Sequence, residues 1–197
     1  MSAPLLLFAP GAGAPSTSAW MQAWRDRLTT VGQVVTFDYP YMKAGRRMPD
    51  RVPVLLAAHA QALAEARRDH PDAKRVFLVG KSMGSRMGCH LALEQPVDGV
   101  ICLGYPLISG SSGARRDQVP LALQVPILFV QGTNDDLCPL AELEEVRAKM
   151  RAPSTLFVVP GGDHSLESSR AKSQRAAVDA SNAAVLSAIR TFVIGPG

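Results

Sequence analysis

The sequence predicts an α/β protein built on a mainly parallel β-sheet and organised as one domain over residues 1–197. Six short apolar runs alternate along the chain with amphipathic helical patterns, which is typical of parallel strands joined by helical crossovers. The runs show no alternation of apolar and polar residues, as expected of strands that are buried on both faces. With 197 residues, 47% of them hydrophobic, the chain is long enough to bury a substantial core.

Each predicted strand is a short hydrophobic run, and each predicted helix is a longer amphipathic segment between two such runs. In chain order, the predicted strands are Leu5–Ala9, Val34–Phe37, Val76–Val79, Val100–Leu103, Ile127–Val130 and Leu156–Val159. The predicted helices are Ser18–Thr29, Asp50–Arg68, Met83–Glu94, Leu140–Met150 and Gln174–Phe192. The segment Tyr105–Gln124 contains SGSSGARRD and is predicted to form a long loop, which is typical of functional or mobile segments.

Charge, cysteine content and hydropathy exclude several classes of protein. The net charge of +4 comes from scattered lysines and arginines, and neither a base-stacking module nor a basic helix points to nucleic acid. The three cysteines form no C-x-x-C pair and leave one unpaired in any disulfide scheme, so we expect a reducing compartment. The first residues lack the positively charged segment that begins an ordinary signal peptide, and their apolar stretch is too short for one. No run of about 18 apolar residues predicts a membrane span. We therefore expect a cytoplasmic protein, monomeric or homodimeric, with no membrane or nucleic-acid partner.

The residues that directly follow the predicted strands are the informative ones. Ligands of parallel α/β sheets bind outside the carboxyl ends of the strands, and these ends share one edge of the sheet. The segments at that edge read PGAGAPSTS, DYPYMKAGRR, GKSMGS, GYPLISG, GTNDDLCP and GGDHSLE. We expect all six segments to lie around one site.

Ser82 is the candidate nucleophile of this site. It lies between Gly80 and Gly84, directly after an apolar strand, in the stretch VFLVGKSMG. A serine hydroxyl becomes reactive when a tight turn from strand to helix points it out of the sheet toward a base. Such a turn requires neighbours with almost no side chain, and the two glycines meet this requirement.

Two later strand ends supply the remaining parts of a reaction centre. GTNDD offers a carboxylate at Asp135 or Asp136, and GGDH offers an imidazole at His164. A serine needs a base that a buried carboxylate holds in the correct tautomer, and the order Ser, Asp, His is the one found on successive strands of such sheets. Each residue alone also has an ordinary explanation: Ser82 as a helix N-cap, Asp135 and His164 as turn residues. Three matches in the correct order favour the reaction centre.

Acyl transfer also needs donors for the negative charge that develops on the substrate oxygen. The N–H of Met83 opens a helix directly after the serine and is one candidate donor. Ala12 is the candidate for the second donor, because its neighbours Gly11 and Gly13 let the backbone approach a substrate closely. The alternative is that the two glycines only form a tight turn.

Two other motifs compete for the same residues. Gly80-Lys81-Ser82 resembles the end of a phosphate-binding G-x-x-x-x-G-K-S loop, but Arg75 occupies the position of the first glycine. Gly11-Ala12-Gly13 after a strand resembles a dinucleotide-binding fingerprint, but Ser16 occupies the position of the third glycine. No His, Cys and Asp cluster has metal-ligand spacing either, so we expect no cofactor and no metal.

The strand-end segments resemble those of a known family. Over essentially its whole length the chain resembles the α/β-hydrolases, with PGAG in place of the family's usual His-Gly oxyanion loop, GKSMG as the nucleophile elbow, GTNDDLCP as the acid loop and GGDHSL as the histidine loop. It is similar in particular to the small, lid-less, dienelactone-hydrolase-like branch, which also contains a regulatory subunit of a histone-acetyltransferase (NSL) complex. GYPL after the fourth strand and the later ARRD add to this similarity.

The resemblance implies a role for each candidate residue. Ser82 would be the nucleophile, His164 the base and Asp135 the acid that orients it. The resemblance favours Asp135 over Asp136, because the family's acid tends to lie three residues after the loop glycine, here Gly132. Dienelactone hydrolases use a cysteine nucleophile, and the serine of this chain departs from them.

The resemblance also implies the arrangement of the sheet. The family's first two strands and its lid insertion have no counterpart in this sequence. We therefore expect a minimal six-stranded sheet in the order 2-1-3-4-5-6, flanked by helices on both faces, with an open site.

The function predicted from these observations is a carboxylesterase-like serine hydrolase that cleaves a small carboxylic ester or thioester through an acyl-enzyme. The candidate substrate-binding residues are Gly11, Gly13, Tyr105, Arg115 and Arg116. The alternative is a binding or regulatory protein that keeps the fold with little or no turnover.

Overall fold

The computed structural model of this protein describes residues 2–168 and 175–195, which form a parallel sheet covered by helices on both faces. In chain order the elements are β1 Leu5–Ala9, α1 Ala19–Leu28, β2 Gln33–Thr36, α2 Pro40–Lys43, α3 Val52–Asp69, β3 Val76–Lys81, α4 Met83–Leu91, β4 Gly99–Leu103, α5 Gln118–Ala122, β5 Ile127–Gly132, α6 Leu140–Arg147, β6 Ser154–Val159 and α7 Arg175–Ile194. The alternation of strands and helices predicted from the sequence is confirmed.

The sheet has six strands in the order β2-β1-β3-β4-β5-β6, as predicted. All neighbouring strands are parallel, with β1 aligned on β3 from Leu5 opposite Val76 to Ala9 opposite Gly80. Parallel alignment brings the carboxyl ends of the strands to one edge. No separate lid over that edge is evident in the described residues.

Successive side chains of the central strands pack on opposite faces of the sheet, because the side chains of a strand alternate in direction. Leu5 and Leu7 belong to a core under α3, α4 and α6, whereas Leu6 and Phe8 belong to a second core under α1 and α7. All four are fully buried. Burial of each such side chain is worth about 1.5–3 kcal/mol, which explains why the run LLLFA contains no polar residue. The prediction that every strand is buried on both faces is wrong for the two edge strands, because β2 and most of β6 are only partly buried.

The helix boundaries differ from the prediction at a few points. The helix after Ser82 ends at Leu91 rather than at Glu94, and residues 92–94 continue it as a turn. The short helix α2 begins at Pro40 and has no predicted counterpart, since four residues are too few to show a helical period. The predicted start of the last helix at Gln174 lies outside the described residues.

The segment predicted as a long loop, Tyr105–Gln124, is more ordered than expected. Ile108 and Arg115 pair in an isolated antiparallel bridge around a turn at Gly113, and α5 follows within the same segment. This segment lies beside β4, at the carboxyl edge of the sheet.

Helix α7 is the element that covers the second face near the carboxyl end of the chain. Its stretch Ala176–Ile194 has a mean hydropathy of 1.3 and is, by length and composition alone, long and apolar enough to cross a membrane. In this structure its residues Val185, Ile189 and Val193 are buried in the core on that face of the sheet.

Candidate active site

Ser82 lies in a sharp turn between β3 and α4. Its backbone has φ 49° and ψ −113°, in a region that non-glycine residues rarely adopt and that costs about 1–3 kcal/mol. The turn is possible because its glycines allow very close packing of the backbone. A Cβ at Gly80 would lie 2.2 Å from the amide nitrogen of Ser85, and one at Gly84 would lie 2.5 Å from the carbonyl oxygen of Ala9. Any larger residue at either position would push Ser82 out of place.

The structure brings Ser82, His164 and Asp135 together in a chain of hydrogen bonds. His164 Nε2 lies 2.7 Å from Ser82 Oγ, and His164 Nδ1 lies 2.7 Å from Asp135 Oδ2. An ionised carboxylate only accepts hydrogen bonds, so the proton of neutral His164 is on Nδ1 and Nε2 accepts from the serine hydroxyl. This is the arrangement in which the imidazole can take the serine proton.

Asp135, rather than its neighbour Asp136, contacts the histidine. The side chain of Asp135 is fully buried, whereas Asp136 is exposed. Asp135 Oδ1 accepts a 2.9 Å hydrogen bond from the amide of Leu137. Burial by itself would raise the pKa of Asp135, but the hydrogen bonds that it accepts, first among them the one from His164, hold the pKa below its ordinary value. The carboxylate is therefore ionised wherever the histidine can act as a base.

Gln131 is a functional neighbour that sequence reasoning missed. It is fully buried at the end of β5, and its Nε2 donates to Asp135 Oδ2. Its Oε1 accepts a hydrogen bond of 3.1 Å from the amide of Tyr105. Gln131 thus donates to the same carboxylate oxygen that His164 contacts and helps to fix the position of the carboxylate. A polar residue inside the apolar run ILFVQG was the available signal.

The two candidate oxyanion donors remain free of partners within the described part of the chain. Neither the N–H of Met83 nor that of Ala12 donates to another described residue. The loop of Ala12 is held in place by Tyr41, whose hydroxyl donates a 2.9 Å hydrogen bond to the Ala12 carbonyl oxygen. Tyr41 was also missed from the sequence, because it lies in the short helix α2.

A pocket of about 500 Å³ opens beside Ser82 and His164. Gly11, Ala12 and Gly13, in the loop after β1, form part of its wall. The ring of Trp20 closes another side, with its indole Nε1 donating a 3.0 Å hydrogen bond to the carbonyl oxygen of Ser165.

A second cavity of about 430 Å³ lies on the far side of Trp20. It shares Trp20, Ser165 and Glu167 with the pocket beside Ser82, and α1 and α7 provide other walls. The ring of Trp20 therefore forms part of the wall between the two spaces.

Three of the predicted substrate-binding residues do not line the pocket beside Ser82. Tyr105 is fully buried, and its hydroxyl donates to the carbonyl oxygen of Arg116. Arg115 forms ion pairs with Asp117, Glu142 and Glu145. The side chain of Arg116 donates a 3.0 Å hydrogen bond to Ser109 Oγ, and none of the three lines the pocket beside Ser82. The acidic residues of α6 hold Arg115 on the neighbouring surface, and the sequence pattern did not reveal them as partners.

Among residues 2–168 and 175–195, no group of three or more His, Cys, Asp or Glu residues is arranged to hold a metal ion. Cys89, Cys102 and Cys138 are free and are buried in the core.

Comparison with known proteins shows the family of this chain. The α/β-hydrolase domain family matches residues 2–193. The fold is similar to that of a dienelactone hydrolase from Anabaena variabilis, with a TM-score of 0.65 and 21% identity over 92% of this chain and 85% of that chain. It is also similar to an alpha-beta serine hydrolase homologue from Coxiella burnetii, with a TM-score of 0.67 and 18% identity over 82% of this chain and 76% of that chain.

A third similar structure is Est1E from Butyrivibrio proteoclasticus, solved with bound ferulic acid. Its TM-score is 0.70 at 14% identity, over 98% of this chain and 89% of that chain. At these identities the three structures establish the shared fold, and the family match covers nearly every residue of the chain. This chain therefore belongs to the α/β-hydrolase domain family.

Proposed function

We propose that this hydrolase is a serine esterase that cleaves small carboxylic esters or thioesters, with Ser82 as nucleophile, His164 as general base and Asp135 as the residue that orients His164. The observation that carries the proposal is the pair of 2.7 Å contacts that link Asp135 to His164 and His164 to Ser82. Covalent acyl transfer requires a nucleophile within hydrogen-bond distance of a base, and a third group that orients the base.

In the first half of the reaction, Ser82 Oγ attacks the carbonyl carbon of the substrate while its proton passes to His164 Nε2. The carbonyl oxygen becomes an oxyanion, which the N–H groups of Met83 and Ala12 are free to stabilise. Each such donor is worth about 3 kcal/mol of barrier. The intermediate then breaks its bond to the alcohol or thiol, which leaves with the proton from His164, and an acyl-serine remains.

In the second half, His164 takes a proton from water, and the hydroxyl attacks the acyl carbon. The second oxyanion collapses by breaking the bond to Ser82 Oγ, which regains the proton from His164. The buried carboxylate of Asp135 stabilises the charged imidazole in both halves without itself taking the proton.

The shape of the pocket supports a small acyl group. Trp20 closes the space beside Ser82, and the loop of Gly11 and Gly13 brings backbone rather than side chain to the opening. We propose that acetyl to butyryl groups fit in front of Trp20, and that longer chains meet its ring.

Hydrolysis of p-nitrophenyl acetate and of an acetyl thioester tests the proposal. We expect measurable turnover by the wild-type protein and a loss of roughly 10⁴-fold or more in kcat for Ser82→Ala, since a triad acts as a unit. Ser187→Ala is the matched control, because Ser187 is exposed on α7, and it should keep wild-type kcat. Equal activity of Ser82→Ala and wild type would contradict the proposal, and a folded wild-type protein without turnover would favour a binding role.

A further inference from the structure

Lys81 is the buried cation of the site, and the proposed reaction does not use it. It is the last residue of β3, directly before Ser82, and is only 9% exposed. Its ammonium donates a hydrogen bond to the backbone carbonyl oxygen of His164. The side chain next to the nucleophile is thus bonded to the backbone of the base, 83 residues further along the chain.

The surroundings of Lys81 are shaped to let its side chain reach His164. A Cβ at Gly11 would lie 3.3 Å from Lys81 Cγ. A Cβ at Gly104 would lie 2.6 Å from the His164 carbonyl oxygen and 3.2 Å from Lys81 Nζ. Gly104 also has φ 71°, which favours glycine. Two loops from different strands therefore leave a narrow passage for this one side chain.

Trp20 confines the ammonium from the remaining side. Lys81 Nζ lies 5.5 Å from the centre of the Trp20 ring, within the range of a cation–π interaction. The ring and the His164 carbonyl oxygen together hold the ammonium beside the pocket, which Lys81 also lines.

We propose that Lys81 is a positioning residue that holds the backbone of His164 so that its imidazole stays aligned between Asp135 and Ser82. This inference rests on the proposed function, since it assigns a role within the same reaction. Lys81 acts through the His164 main chain and transfers no proton. Alignment matters because a displacement of about 1 Å in a reacting group can cost about 10²-fold in rate.

The charges around Lys81 predict when the bond is strongest. The carboxylates of Asp135, Asp163 and Glu167, in the loops after β5 and β6, act on its charge, and His164 contacts it through the backbone carbonyl oxygen. Burial lowers the pKa of Lys81 to about 8, against the opposing effect of these carboxylates. Below pH 8 the bond to His164 is charge-assisted, and above pH 8 it becomes a weaker bond from a neutral amine.

The test compares wild type, Lys81→Met and the control Lys149→Met by kcat, KM and melting temperature from pH 6.5 to 9.5. Methionine keeps most of the length of the side chain without its charge or its donors. Lys149 is a suitable control because it is exposed in the turn that follows α6. For Lys81→Met we expect kcat at pH 7 to fall by roughly 10-fold to 100-fold with KM within about twofold of wild type.

Two further readouts separate positioning from a purely structural role. In wild type, kcat should decline as pH rises through about 8, and in Lys81→Met this decline should be absent. The melting temperature of Lys81→Met should not fall, because the variant also removes the cost of burying a charge. A Lys81→Met protein with wild-type kcat and the same alkaline decline would overturn the inference. Turnover by wild type tests the proposed function separately.

Discussion

The hydroxyl of Tyr41 donates a 2.9 Å hydrogen bond to the carbonyl oxygen of Ala12, across 29 residues of sequence. This bond fixes the peptide unit next to the amide that we propose as an oxyanion donor. Tyr41 is buried, and burial raises its pKa to about 12, so it remains a donor throughout the neutral range. The orientation of the Ala12 loop therefore depends on a side chain that never touches the substrate.

Removal of this hydroxyl should impair catalysis more than folding. For Tyr41→Phe we expect kcat to fall roughly 10-fold, since a displaced oxyanion donor loses part of the 10²-fold to 10³-fold that its complete removal costs. The matched control is Tyr39→Phe, which removes a buried hydroxyl that contacts His59 Nδ1 instead. Steady-state ester hydrolysis should show a loss of kcat in Tyr41→Phe only. Thermal melting should show that Tyr41→Phe remains folded. Equal kcat values for the two variants would contradict the role of the loop.

The acid of the site is tested by two neighbouring substitutions. Asp135→Asn should lower kcat by about 10⁴-fold, because the new NH2 group can donate to His164 Nδ1 and so favours the tautomer whose proton is on Nε2. Asp136→Asn should stay within about twofold of wild type, because Asp136 is exposed. Single-turnover and steady-state rates of both variants provide the measurement. The reverse order of effects would assign the role to Asp136.

The acyl chain length that the enzyme prefers should depend on Trp20. Wild type should have its highest kcat/KM between acetyl and butyryl esters, because the Trp20 ring forms part of the wall between the pocket and the second cavity and blocks longer acyl chains. In Trp20→Ala the two spaces join, and each extra methylene that becomes buried should gain about 0.8 kcal/mol, or about fourfold in kcat/KM.

The control for this series is Trp20→Phe, which keeps a ring in the wall but loses the hydrogen bond to Ser165. A chain-length series from acetyl to decanoyl esters should give the wild-type preference for Trp20→Phe and a longer optimum for Trp20→Ala. An optimum at long chains in wild type would show that Trp20 does not limit the acyl group.

The arginines of the segment 105–124 should not select the substrate. Because Arg115 is paired with Asp117, Glu142 and Glu145, we expect Arg115→Ala/Arg116→Ala to leave the ratio of kcat/KM for matched anionic and neutral esters unchanged. The ratio should be measured at low and high salt, since a direct charge contact would weaken as salt rises. A salt-sensitive preference for anions that disappears in the double variant would restore the original prediction.

The parts of the site that could be predicted from the sequence are those that local pattern determines. Short apolar runs indicated the strands, and the edge shared by parallel strands then brought Ser82 and His164 together. Tyr41 and Gln131 could not be found in this way, because their importance lies in contacts with Ala12 and Asp135 that only the folded chain creates.

The same reason explains why three of the predicted substrate-binding residues lie away from the pocket beside Ser82. Arg115 follows a strand on the correct edge, but its orientation depends on carboxylates of α6 that lie 27 and 30 residues further along the chain. Tyr105 also follows a strand directly, yet the packing of α4, β4 and β5 buries it completely. The position of a residue along the chain predicts the edge of the sheet at which it lies, but it does not predict the direction in which its side chain points.

The central claim is that Ser82 is the nucleophile, and covalent labelling tests it most directly. A serine paired with a histidine is nucleophilic toward phosphorus as well as carbon, so a fluorophosphonate should add once to the folded protein. Peptide mapping by mass spectrometry should place the adduct on Ser82, and Ser82→Ala should not be labelled while Ser187→Ala is labelled fully. An adduct on another residue, or labelling that persists in Ser82→Ala, would contradict the account.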